Sequence, residues 1–300
     1  MAKPKKAVPY FASLNGSSPS IVFNTDNVFD NTTLVSSSPI DVYMKRNQAL
    51  IKKVGLLERE DLLSADNDED RDIYNLFLLG FVSNVESYFR TIIREVITFD
   101  IHSYNACLEQ PLTYAAALHH TRELLPEALM ENHTFISKHL ITKALIDYLK
   151  ITINTQETKG QEVTECLQLF EQLCQLRHCI VHRAGLLGSK NAIKLGIDSH
   201  KGFFEKPIRL NTAFLQNANV ICLNCVRTSN TYIFNKLIHR YVAENDGITW
   251  KFPNDKRWYL KYYTLFISQK LNESLVQNGI ELDTPFKTYE KLRASFEKKD

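Results

Sequence analysis

Residues 71–99 read RDIYNLFLLGFVSNVESYFRTIIREVITF, and the spacing of their apolar side chains decides the fold class. Leu78, Phe81, Val82, Val85, Tyr88, Phe89, Ile92 and Val96 recur at the i, i+3, i+4, i+7 interval of a helix that turns one face to a core. A half-buried strand would alternate every second residue, and this run does not. Upstream, a second helical pattern starts at Asp41 and is separated from the first by the acidic break NDED, residues 67–70. Downstream, residues 112–152 hold two or three helices with breaks near Pro126 and Asn132, and TQETKGQ (155–161) is a linker. Further helices are expected from about Gln161 to Val181 and from Thr212, with Asn211 as N-cap, to about Val242.

The fold class expected is therefore all-α: a helical bundle with a small insertion and a helical C-terminal appendix. The insertion is NAIKLGI (191–197) with KPIRL (206–210), short polar-bounded runs that read as a β-hairpin or extended segment. Residues 1–39, rich in Ser and Asn and broken by Pro, read as an irregular N-terminal arm. The helical domain spans 40–246 with its core at about 70–242, and 247–300 form the appendix, with one helix from Trp258 to Leu271.

The 300 residues carry 36 Lys plus Arg against 34 Asp plus Glu, a net charge of +2, so any nucleic-acid site must be a local patch and not a global field. Six cysteines without disulfide-framework spacing read as buried thiols of a reducing compartment. Cys222 and Cys225, the CLNC pair, lack two further ligands and are expected to be core thiols, not a zinc site. The N-terminal MAKPKKAVPYF has no apolar h-region, and no uninterrupted apolar run reaches membrane-spanning length, so a cytoplasmic protein is expected.

Chemistry concentrates in LRHCIVHRAG, residues 176–185. On a wheel of ~100° per residue, Val163, Cys166, Phe170, Leu173 and Cys174 form one apolar stripe, and Arg177 lies about 20° from Phe170. A guanidinium there stays charged and needs an anion. His182 falls about 120° from Phe170, so the two side chains diverge by about 140° on a straight helix. Either the helix unwinds before Gly185, or a second copy completes the site. Glu86, among apolar neighbours, is placed either to pair with Arg90 one turn on or to reach Arg177. The segment 251–266, KFPNDKRWYLKYYTLF, interleaves Lys256 and Arg257 with aromatics: a nucleic-acid surface, or an amphipathic helix with its rings on the bundle.

The string RHCIVH from Arg177 to His182, followed by Arg183 and Gly185, resembles the R-x4-H signature of the HEPN superfamily, and VESYFRTIIREVI resembles that family's first long helix. The resemblance covers about residues 70–242. It implies an HEPN-like bundle and metal-independent RNA cleavage, without cofactor, at a composite site between two copies in a homodimer. Arg177 and His182 match the motif, and Glu86 matches the acidic position that orients the arginine. His178 stands where the family carries Asn or another polar residue, and is kept as a further catalytic candidate. Arg183, Arg90, Lys256 and Arg257 are the candidate RNA-binding residues. The expected setting is a toxin or phage-defence effector acting on an RNA such as tRNA, restrained by an antitoxin or sensor protein. The alternative is a non-catalytic HEPN module that binds RNA, nucleotide or a partner protein.

Overall fold

The computed structural model describes residues 10, 21–26, 28–30, 37–119, 121 and 125–297. Residues 1–36 and 37–300 are separate compact units. The expected N-terminal arm falls largely outside the described residues; within it, Ile21, Val22, Phe23, Val28 and Phe29 are exposed.

Among the described residues the chain is all-α, with twelve helices: α1 (Pro39–Arg59), α2 (Arg71–Ile97), α3 (Ile101–Cys107), α4 (Tyr114–His119), α5 (Leu125–Ala128), α6 (Lys138–Leu149), α7 (Thr158–Arg183), α8 (Ser189–His200), α9 (Thr212–Glu244), α10 (Phe252–Phe266), α11 (Gln269–Gln277) and α12 (Pro285–Glu297). The acidic break becomes a single 3-10 turn, Asp68–Asp70, whose Asp68 receives Arg71 and Arg209. Pro126 sits in the first turn of α5, where its missing N–H costs nothing.

Helix α2 is the axis of the bundle. All eight residues of its expected stripe are buried, and α1, α6, α7 and α9 pack around it. Each such side chain contributes about 1.5–3 kcal/mol by leaving water. Over residues 68–97 the helix is long and apolar enough to cross a membrane by length and composition. Its apolar face is instead taken up by the protein core. Helix α9 begins where expected, with the Asn211 side chain accepting the Phe214 N–H at 2.8 Å.

Two expectations are corrected. NAIKLGI is not a strand: it lies in α8, which seats Ala192 and Leu195 against Cys179 and Leu187 at helical spacing. Gly196, with φ +106°, interrupts the helix and shortened the periodic signal. KPIRL is extended but makes only a single antiparallel bridge, Pro207 to Leu186, so there is no hairpin among the described residues. The single helix expected from Trp258 to Leu271 is divided at Ser268 into α10 and α11, and a third helix, α12, follows in the expected tail. Ser268 caps α11 and donates its hydroxyl to the Asp41 carboxylate at 2.5 Å, while Asp41 also accepts the Gln269 and Lys270 N–H groups. Tyr259, Tyr262, Phe266 and Tyr289 from this region belong to the same core as α2.

Candidate active site

The motif occupies the last two turns of α7. That helix stays wound through Arg183 and ends on Ala184 (φ +50°) and Gly185 (φ +80°), with the Gly185 N–H returning to the Cys179 carbonyl at 3.0 Å. Left-handed geometry at Gly185 favours glycine and stops the helix. Unwinding before Gly185 is therefore ruled out as the way to converge Arg177 and His182, which keep their divergence on one helix.

What one chain does bring together is His178 and His182, four residues apart on the exposed side of α7. Their ring centres are 4.6 Å apart at an interplanar angle of 46°. Burial holds the His178 imidazole below its ordinary range, and the neighbouring charges of His182, Arg177, Lys194 and Arg183 push it the same way. Arg177 is half-buried and makes no hydrogen bond or ion pair among the described residues. Burial raises the Cys174 thiol, one turn before it; Glu86 and Glu171 add to that shift and Arg177 opposes it, so both signs of charge reach this point of the α2–α7 contact.

Glu86 does not pair with Arg177, nor with Arg90. Its carboxylate accepts the Phe135 N–H at 3.2 Å. Arg90 donates to the Met130 and His133 carbonyls at 2.7 and 2.8 Å, faces Glu127 at 3.4 Å and lies 5.8 Å from the Phe135 ring centre. The two side chains clamp the loop between α5 and α6 to α2, because they satisfy its partly buried backbone groups. Arg90 is accordingly removed from the RNA-binding candidates and Glu86 from the role of orienting Arg177 within one chain.

Arg183 is also committed: it pairs with Glu205 and lies against Gly188, where a Cβ would come within 2.8 Å of its Nε. Lys256 and Arg257 are exposed on α10, whose buried face carries Tyr259, Tyr262 and Phe266, so the rings pack on the bundle and do not present themselves to bases. Cys222 and Cys225 are fully buried with thiols raised by burial, and among the described residues no group of three His, Cys, Asp or Glu is placed to hold a metal ion.

Two features escaped the sequence reading. Lys194 of α8, 3.8 Å from Glu171, stands beside His178. Asn191, also on α8, donates to the Gln175 side chain at 3.1 Å and to its carbonyl at 3.3 Å, a buried polar link that fixes α8 against the motif helix. Both depend on 189–200 being helical; an Asn opening an otherwise apolar run was the available sign.

No protein-family model, curated protein or solved structure matches the chain.

Proposed function

We propose that this chain is an endoribonuclease of the HEPN type, cutting RNA without a metal ion. The ribose 2′-OH loses its proton to one imidazole of the His178–His182 pair and its oxygen bonds to the adjacent phosphorus. The bond to the 5′-oxygen breaks, and the other imidazole protonates that leaving oxygen. Products are a 2′,3′-cyclic phosphate and a 5′-hydroxyl end. Arg177 supplies positive charge to the phosphorane. The observation that carries the proposal is an exposed histidine pair in ring contact on the same helix as a half-buried arginine that has no ion pair among the described residues. A cation left without an anion in a structured surface is suited to an anionic ligand.

A homodimer is part of the proposal. Arg177 and His182 diverge on one helix, so a second copy is the means of bringing one chain's arginine to the other's histidine. Apolar surface near the motif supports such a contact: Val181, Ile193, Ile197, Phe203 and Phe204 are all exposed on α7, on α8 and just beyond it. The setting we infer is a toxin or defence effector held in check by a cognate protein.

The test is incubation of purified protein with total RNA in EDTA, beside His182→Ala. Wild type is expected to release fragments with cyclic-phosphate ends and the variant none; persistent cutting by folded His182→Ala would sink the assignment. Dilution of the wild type should lower specific activity if two copies are needed, and a fully active monomer contradicts the composite site.

A further inference from the structure

Helix α10 divides into two faces. Asp255, Tyr259, Tyr262 and Phe266 are buried, while Lys256, Arg257 and Lys261 on the opposite side are exposed and have no ion pair among the described residues. With Pro253, Leu260 and Thr264 these cations line an open groove of about 490 Å³. Three uncompensated cations on one face, over a short apolar floor, complement the regular negative charge of a polynucleotide backbone.

The place of this face in the bundle gives it a consequence. Helices α7 and α9 run antiparallel: Glu157 pairs with Lys236, and the Cys166 thiol meets the Thr228 hydroxyl. Continuing that register sets His178 opposite the first turns of α9, near residue 216. Helix α10 packs along the second half of α9: Trp258 stacks on Tyr241 near its end, with ring centres 4.6 Å apart, and Asn230, near its middle, donates to the Phe266 carbonyl at 2.8 Å. Some 20 to 25 residues of α9 therefore separate the level of these cations from that of His178, about 30–37 Å at 1.5 Å per residue.

We propose that Lys256, Arg257 and Lys261 form a second, sequence-independent contact for the phosphate backbone of the RNA whose cleavage site lies at His178 and His182. The substrate class is then RNA long enough to span both ends of the bundle, such as a folded hairpin, and not a short strand. The proposal depends on the ribonuclease reading for the identity of the polyanion, and its test does not depend on cutting.

The full chain and the triple variant Lys256→Gln, Arg257→Gln, Lys261→Gln are titrated by fluorescence anisotropy with a hairpin RNA longer than the span and with a tetranucleotide. The three substitutions are on exposed side chains, and circular dichroism checks the fold. Each lost phosphate contact lowers the slope of log K against log salt by roughly 0.7–0.9, so the hairpin slope should fall by about 2 and its affinity by about tenfold or more at low salt. Tetranucleotide binding should be unchanged. A control variant with Lys45→Gln, Lys52→Gln and Lys53→Gln on α1 removes the same charge elsewhere. Equal weakening of both RNAs, an equal loss in the control, or no hairpin binding by wild type overturns the proposal. Hairpin binding by a wild type that cuts no class of RNA leaves the phosphate contact standing and defeats the ribonuclease reading.

Discussion

Replacing Glu86 by Gln separates the two roles open to that residue. In the structure its carboxylate accepts the Phe135 N–H at 3.2 Å and pins the loop between α5 and α6 together with Arg90. A glutamine carbonyl of nearly the same shape still accepts that bond, so only the charge assistance is lost. A hydrogen bond to a charged group contributes about 1.5–3 kcal/mol and a neutral one about 0.5–1.5, so Glu86→Gln should destabilise by about 1 kcal/mol. Glu86→Ala orphans the buried N–H and should cost about 1.5–3 kcal/mol. Equilibrium urea unfolding gives both values, and single-turnover RNA cleavage gives the rate. Structural clamping predicts that Glu86→Gln cleaves within about threefold of wild type, since under 0.7 kcal/mol should reach the transition state. A stable Glu86→Gln that loses a hundredfold in rate would refute the clamp and return Glu86 to Arg177, across the dimer.

The remaining predictions concern the motif and its supports. Because Lys194 helps hold the His178 imidazole below its ordinary range, activity that needs a neutral His178 rises as pH climbs through that lowered value. Lys194→Gln removes one cation, raises the value and should move the acidic limb of the pH–rate profile to higher pH. At the end of α7, Gly185→Ala places a Cβ on a backbone of φ +80° with ordinary space around it, the nearest atom being Asn75 Nδ2 at 3.7 Å. The cost is conformational, about 1–2 kcal/mol, and Ala184→Gly should stabilise by up to about 1 kcal/mol, both read from urea midpoints. Asp100, buried, accepts from Arg240 at 2.6 Å and from the Ser103 hydroxyl at 2.6 Å. Arg240→Ala leaves that carboxylate uncompensated and should destabilise by about 3–5 kcal/mol, whereas a loss under 1 kcal/mol would show that water replaces the guanidinium.

The bundle was legible in the sequence where burial follows a helical period. The stripe from Leu78 to Val96 and the Asn211 cap were read from local pattern alone, since one face and one side chain carry the signal. The helix at 189–200 was not, because Gly196 breaks its period and Ile193 and Ile197 are exposed. The division at Ser268 depends on Asp41, more than two hundred residues away, which no local window contains. In the candidate site, the wheel placed His182 outside the core, as found, but put Arg177 at the centre of the apolar stripe, where the structure leaves it only half-buried. It did not supply the partner of Glu86, because a backbone N–H in a loop has no residue identity to search for. The four-residue spacing of His178 and His182 was visible, but their ring contact required an unbroken helix through Arg183.

The central claim is that His182 takes part in cleavage by transesterification, and the ends of the products report on it most directly. Wild type, His178→Ala and His182→Ala are each incubated with a defined RNA in EDTA, and the fragment termini are analysed by mass spectrometry. We expect 2′,3′-cyclic phosphate and 5′-hydroxyl ends from wild type, and a loss of at least a hundredfold in their rate of appearance from His182→Ala. Fragments bearing 5′-phosphate ends, or folded wild type that cuts no class of RNA, would contradict it.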